Sequence, residues 1–359
     1  MFLEFVYPLY KYFTPLNVFV YLTFRAAYAA LTTLLIAYVF GPPVIEALRK
    51  LNIGQAVRTD GPATHLAKNG TPTMGGIMII FSVLFSMLLW QDIKNDKVIL
   101  VGVTLLAFGL VGFVDDYLKV TKRNSAGLPA RAKLAGQFAI ATGVVVFLYF
   151  HGGEEITYLY LPFFKNRVVD MGLLWIPFGV LLIVGESNAV NFSDGLDGLL
   201  AGLLIMVFIA LAILCYLSGR SDYSSYLGIP YIQDSGELTI FCLAAAGACI
   251  GFVWYNAPPA ELFMGDVGSL SLGGVVATIS LIIKKEILVL VIGGVFVLEI
   301  ASVVIQVVSY KLRKKRVFKM APIHHHYELS GIAESKIVIR FWILGGLFAI
   351  IALSTLKIQ

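Results

Sequence analysis

Charge is what this chain has least of. Of its 359 residues, 14% are Asp, Glu, Lys or Arg and 58% are hydrophobic, with a mean hydropathy of +0.85. Soluble domains carry about 25% charged residues, so a soluble globular enzyme is excluded. The net charge of +5 is too small for a nucleic-acid-binding surface and reads as membrane topology. Cysteine is also scarce. Cys215, Cys242 and Cys249 fall inside apolar runs without metal-ligand spacing, which excludes a disulfide framework and a cysteine metal site. The chain lacks an internal repeat and any low-complexity segment. Its opening, MFLEFVYPLYKYF, holds an early acid and no small-residue cleavage site, so a cleaved signal peptide is not expected.

What is abundant is uninterrupted hydrocarbon. Apolar runs of about 18 residues or more, long enough to cross a bilayer, recur from end to end. They predict an all-α polytopic membrane protein, one domain over residues 1–359. About ten transmembrane helices are expected, near 18–40, 74–92, 98–117, 134–151, 171–192, 197–217, 238–256, 267–283, 287–308 and 337–355. An even number puts both termini on one side. Sixteen of the 27 Lys and Arg fall in the connections 41–73, 118–133, 193–196, 257–266 and 309–336. Nine fall in the other connections and the tails, and Arg25 and Arg340 lie within spans. Positive residues concentrate in cytoplasmic loops, so the first set is predicted cytoplasmic and both termini periplasmic. The periplasmic loops at 152–170 and 218–237 are rich in Tyr and are expected to form short hairpins or surface helices.

Against this background a few polar motifs stand out, and all fall on the predicted cytoplasmic side. Span three ends in VGFVDDYLKV (111–120), placing Asp115 and Asp116 beside hydrocarbon and at a helix end that is already partly negative. Lys119, Lys122 and Arg123 offer a surface ion network; a divalent cation or a phosphate–metal complex accounts for the acids better. Adjacent helical residues point about 100° apart, so the two are expected to do different jobs. NFSDGLDG (191–198) sets Asp194 and Asp197 at the start of span six, as helix caps or as ligands to a polar group. Asn188 and Asn191 end span five beside that turn, placed for a polar ligand or for the helix end. In NAPPAELFMGDVGS (256–269), Asp266 opens span eight, again as cap or ligand.

Two further motifs carry positive charge. KNGTPTMGG (68–76) brings Thr73 to the start of span two with Lys68 five residues upstream, reading as a capped turn or as a phosphate contact. APIHHHYELSG (321–331) follows the basic run KLRKKRVFK (311–319), part of which is a positive-inside anchor near anionic headgroups. His324, His325 and His326 are consecutive and cannot all ligate one metal on a regular helix or strand. A loop that collects anions is expected there, not zinc. Glu299 and Gln306 are intramembrane polar groups of span nine and functional candidates.

Acids, asparagines, lysines and histidines at one membrane surface suit a polyphosphate held by Mg2+. Carboxylate and phosphate oxygens share the ion, and the positive groups offset the remaining phosphate charge. A site level with the headgroups can join a water-soluble phosphate compound to a lipid phosphate, so phosphoryl transfer is the expected chemistry. The rival is a cation-coupled transporter. Its acids belong near the bilayer midplane, in broken helices of paired repeats, and no repeat is apparent here.

The segments KNGTPTMGG, GFVDDYLKV, NFSDGLDGL, NAPPAELFMGDVGSL and MAPIHHHYELSG resemble those of the bacterial phospho-N-acetylmuramoyl-pentapeptide-transferases. These are a branch of the polyprenyl-phosphate N-acetylhexosamine-1-phosphate transferase superfamily. The resemblance spans residues 68 to 331, and the histidine block looks like the peptidoglycan branch. It implies ten spans in the bacterial inner membrane, periplasmic termini, an active site at the cytoplasmic helix ends, a homodimer and sensitivity to uridine-containing antibiotics. It implies Mg2+-dependent transfer of phospho-N-acetylmuramoyl-pentapeptide from UDP-N-acetylmuramoyl-pentapeptide to undecaprenyl phosphate, giving lipid I and UMP.

Residue by residue, the resemblance implies that Asp115, Asp116 and Asp266 are essential acids around the metal. Asp266 is the best ligand, Asp115 orients or deprotonates the lipid phosphate, and Asp116 supports either. His324 looks catalytic or metal-proximal, while His325 and His326 hold substrate phosphate or sugar. Lys68, Thr73, Asn191, Asp194, Asp197 and Phe263 match positions lining the nucleotide pocket. There Phe263 would stack on uracil and Asp194 or Asp197 accept its hydrogen bonds. Lys119, Lys133, Asn188 and Gln306 complete the expected substrate-binding set. Asn69 stands where many relatives have Gln, and Tyr327 where Phe is frequent.

Overall fold

The computed structural model describes residues 6–50, 70–122, 127–162 and 168–357. Lys68, expected to meet substrate phosphate, lies outside the described residues. The helices that traverse the bundle are α1 (Leu22–Lys50), α2 (Gly76–Trp90), α3 (Asp96–Thr121), α4 (Ala130–His151), α5 (Trp175–Phe192) and α6 (Leu199–Ser218). After the short α7 (Ser221–Leu227) come α8 (Glu237–Asn256), α9 (Gly265–Ile282), α10 (Glu286–Ile292), α11 (Gly294–Arg313), the six-residue α12 (Ile323–Glu328) and α13 (Glu334–Ser354). Among the described residues nine helical stretches are long and apolar enough to cross a membrane, and α2, at 15 residues, is a shorter tenth. The chain is an all-α, multi-pass membrane protein, and its described residues fit a bundle of about ten spans.

Two boundaries depart from expectation by the most. Span one, expected to stop near residue 40, runs on to Lys50 through Pro42 and Pro43. A proline pair removes two helix hydrogen bonds, which water at a membrane surface can replace. Span nine is not one helix. It breaks at Gly293 into α10 and α11. The break falls where Gly294 packs on α13, since a Cβ there would stand 2.7 Å from Phe348 Cγ. The loop at 152–170 forms the expected hairpin, with β1 (Tyr158–Tyr160) antiparallel to β2 (Val168–Asp170), and the loop at 218–237 contains α7.

The bundle is built around α9. Of its apolar stretch 89% is buried, against 22% for α11, so α9 is the axis and α11 faces mostly outward. The reason is composition: GDVGSLSLGG presents small residues that let neighbouring backbones approach. At the crossing with α2, a Cβ on Gly76 would lie 2.1 Å from the Gly268 amide nitrogen. At the end opposite the polar motifs, Arg25 of α1 makes a two-pronged pair with Glu237 of α8 at 2.7 and 2.9 Å and also donates to the Trp90 carbonyl. Buried Lys284 joins Glu286 to the Ile156 carbonyl, tying the hairpin to the core.

The contact of α2 with α9 is backbone against backbone and cannot yield by a rotamer change. Gly76→Ala is expected to cost about 1–3 kcal/mol of stability, the range for overpacked interiors. It should show as a lower Tm in detergent. Gly143→Ala on α4, where a Cβ meets nothing within 4 Å, is the control and should show no loss.

Candidate active site

The site lies where α3 and α9 meet. α3 continues past Asp115 and Asp116 to Thr121, so the acids precede the last turn instead of ending the helix. Both are buried, at 3% exposure. Their placement against the α3 dipole is offset by α9, whose N-terminus faces them. The Val267 amide donates to Asp116 Oδ2 at 3.2 Å, a favourable position for an anion. Asp115 takes a different partner, the Leu128 amide at 2.8 Å to Oδ1. The two adjacent acids thus take different backbone partners.

Asp266 reaches the same point from the first turn of α9. Its Oδ1 accepts from Asn191 Nδ2 at 2.7 Å, and the same Asn191 nitrogen meets Ser269 Oγ at 2.7 Å. The backbone ahead of Asp266 is set by a short ladder: Phe263 N donates to Pro72 O, Gly75 N to Phe263 O and Gly76 N to Met264 O, all at 2.8 to 2.9 Å. This is how the TPTMGG and ELFMGD motifs come together. Gly265 has φ +73°, and a Cβ there would stand 2.5 Å from Asp116 Oδ2 and 3.0 Å from Thr73 Oγ1. Gly112 lets α3 touch the Asp266 carbonyl in the same way, with 2.2 Å left for a Cβ.

The three carboxylates converge on one positive charge. Lys119 Nζ lies 2.6 Å from Asp115 Oδ2, 3.2 Å from Asp116 Oδ1 and 3.0 Å from Asp266 Oδ2. Lys133 Nζ adds a contact to Asp266 Oδ2 at 2.6 Å and lies 3.9 Å from Asp115 Oδ2. One oxygen from each acid lies within 4.8 Å of the others. Such a donor set fits a hard divalent cation. All ligands are carboxylate oxygens, and an ammonium at their centre shows that they can share one cation. Three acids against two lysines also leave the cluster short of positive charge.

The other expected residues fall into two groups. Thr73 is buried beside Gly265, and Phe263 is half-buried in the ladder. Neither Thr73 nor the two acids of the 193–198 turn caps a helix: α2 opens at Gly75 and α6 at Gly198, both without a side-chain cap. Asp194 is half-buried, and its carboxyl is pushed up to about 7 by its enclosure, by Asp266 and by Asp116, with the Gly265 amide acting the other way. The second group makes contacts within the fold. Asp197 Oδ2 accepts from Ala260 N, Asn188 donates to Gln137 and Val184 O, and Gln306 makes three bonds to the backbone of Val317 and Phe318. His326 accepts from Lys319 N, His325 pairs with Glu328 at 3.1 Å, and His324 is fully buried 3.1 Å from Glu299.

Several contributors had no role assigned from sequence. Asn256 accepts from Gly198 N and donates to Leu262 O, joining the two acidic loops, and Glu334 accepts from Asp197 N. Asn256 heads its motif and was visible as a polar residue closing an apolar run. Nothing local marked Gln137, Ser269 or Glu334.

Comparison with known proteins decides the family. Residues 98–284 match the family model described as Glycosyl transferase family 4, and residues 68–80 match Phospho-N-acetylmuramoyl-pentapeptide-transferase signature 1. A phospho-N-acetylmuramoyl-pentapeptide-transferase of Thermodesulfovibrio yellowstonii is 49% identical over 361 residues, covering 100% of both chains. One from Citrifermentans bemidjiense is 50% identical over 354 residues and 99% of each chain, and one from Borrelia hermsii 51% over 340 residues, 94% of this chain and 97% of its own. The chain belongs to the phospho-N-acetylmuramoyl-pentapeptide-transferase family. It is a multi-pass transferase of the bacterial inner membrane, and the transporter alternative is set aside. The first of these matches spans α3 to the end of α9, the two helices that carry the three acids.

An acid held near 7 destabilises the fold once it ionises. The unfolded chain releases the Asp194 proton near its usual value of 3.8, so native stability should fall as pH rises from about 4 to about 7 and then level off. Asp194→Asn removes this penalty. In EDTA its Tm should exceed that of the parent by a margin that grows over this pH window and is constant above it. A margin independent of pH would contradict the assignment.

Proposed function

We propose that this enzyme transfers phospho-N-acetylmuramoyl-pentapeptide from its UDP carrier to undecaprenyl phosphate at the cytoplasmic surface, releasing UMP and forming lipid I. The observation that carries the reading is the convergence of Asp115, Asp116 and Asp266 on the Lys119 ammonium, with Lys133 beside it. Phosphoryl transfer asks a protein mainly for positioning and for charge, and this cluster supplies both. The sixteen-to-nine distribution of Lys and Arg supports a cytoplasmic site with both termini periplasmic. By the same resemblance the enzyme works as a homodimer.

Asp266, Asp115 and Asp116 would hold Mg2+, which when bound neutralises the diphosphate and stabilises the leaving UMP. The chain's own groups do the rest. Lys119 and Lys133 offset phosphate charge left over. Asp115 takes any proton remaining on the lipid phosphate and orients it. A lipid phosphate oxygen then attacks the phosphorus bonded to the sugar, and the bond to the UMP oxygen breaks. Phe263 and the 193–198 turn, with Asp194 and Asp197, receive the uracil, while His325 and His326 contact phosphate or sugar. The lipid enters from the bilayer between α5 and α11, where α11 is largely exposed.

The test uses purified enzyme, undecaprenyl phosphate and Mg2+, with UMP release followed from the muramoyl-pentapeptide donor and from UDP-N-acetylglucosamine. Release is expected from the first donor only, lost in EDTA and restored by Mg2+. Asp266→Asn should cost about a thousandfold in kcat, as befits loss of several kcal/mol of charge stabilisation. Release from the N-acetylglucosamine donor would refute the substrate assignment. Direct attack also predicts no stoichiometric UMP burst when the lipid acceptor is left out; a burst would instead indicate an Asp–phosphosugar intermediate.

A further inference from the structure

His324 and Glu299 stand out because nothing so far uses their contact. Glu299 lies on α11 and His324 on α12, and both side chains are 0% exposed. Glu299 Oε1 sits 3.1 Å from His324 Nδ1. The contact is off the ideal hydrogen-bond direction, and neither Glu299 oxygen nor either ring nitrogen has a well-directed partner among the described residues. A buried carboxylate without a partner is costly, so the imidazole is the group that makes Glu299 tolerable there. The other edge of the ring meets the 193–198 turn. A Cβ on Gly195 would stand 2.1 Å from His324 Nε2, so only glycine admits the ring. Gln306 straps the loop ahead of α12 to α11, which keeps the histidine from drifting along that helix.

A catalytic histidine must reach its substrate. His324 has Glu299 on one side and the Gly195 backbone on the other, and no exposed atom. We propose that Glu299 and His324 form one positioning unit: a Glu299 oxygen accepts a hydrogen bond from His324 Nδ1, and the ring props the 193–198 turn at the height where Asp194 and Asp197 meet the nucleotide. This rests on the reading that the turn receives the uridine moiety. Glu299 is then the residue through which α11, the helix beside the lipid path, is linked to the nucleotide loop.

The experiment is titration of UMP into full-length enzyme in detergent with Mg2+, together with steady-state kinetics, for Glu299→Ala, Glu299→Gln, His324→Gln and Gly195→Ala. Size-exclusion profiles check that each is folded. A lost buried polar contact corresponds to about a tenfold effect or more. UMP affinity should fall by that factor in Glu299→Ala, His324→Gln and Gly195→Ala. Donor KM should rise with it, by more than kcat falls. Glu299→Gln keeps an oxygen that can accept from Nδ1 and should retain most of the affinity.

The Tm losses of Glu299→Ala and His324→Gln should fail to add in the double variant. A His324→Gln enzyme that loses kcat with UMP affinity and KM unchanged would make the histidine catalytic and overturn the proposal. So would additive Tm losses, or a Gly195→Ala enzyme that behaves as the parent. If the parent itself ignores UMP, the nucleotide reading fails, and the Tm cycle still decides whether the pair exists.

Discussion

Three carboxylates share one positive charge at the meeting of α3 and α9, and the arrangement around them serves that meeting. Acids this deeply enclosed are tolerated only when cations and amide dipoles surround them. Lys119 and Lys133 supply the cations, and the N-terminal amide of Val267 supplies the dipole. For the acids to come so close, the backbones must come closer still. Hence Gly112 lies under the Asp266 carbonyl, and Gly265 sits in a left-handed conformation beside Asp116. The fold brings small residues to one crossing so that charged residues can share one point.

This constraint links chemistry to stability. The same short ladder that seats α2 against α9 also sets the direction of Asp266. Asn191 ties Asp266 to α5, and Asn256 ties the α8–α9 loop to the turn holding Asp194 and Asp197. The α8–α9 loop and the 193–198 turn are thus held together by one side chain of α8. α11 differs. It leaves the packed bundle after a glycine break, is mostly exposed, and reaches His324 through Glu299 and the loop ahead of α12 through Gln306. A rigid cluster beside a lightly packed helix suits an enzyme that must admit a membrane-borne acceptor without disturbing its charged centre.

Much of the fold is legible along the chain. Runs of about 20 apolar residues give the spans, because a bilayer leaves a backbone few alternatives to helix. The exceptions have local causes. The break at Gly293 was hidden because residues 287–298, on both sides of it, are uniformly apolar, and the contact of Gly294 with Phe348 exists only after folding. Legibility of the site is uneven in the same way. Asp115, Asp116 and Asp266 are conspicuous because carboxylates are rare beside hydrocarbon, and they do come together. Gln306 and Asn188 are equally conspicuous, and their amides bond to the Phe318 backbone and to Gln137.

The sequence by itself determined that this is a helical membrane protein with few charges, and that its acids cluster near helix ends. Those follow from transfer free energies, which act on each residue separately. Only the tertiary structure decided which acids share a cation, which asparagine holds which loop, and that His324 lies between Glu299 and Gly195. Those depend on which backbones approach within a few ångströms across spans, and no periodicity or spacing along one chain records that distance.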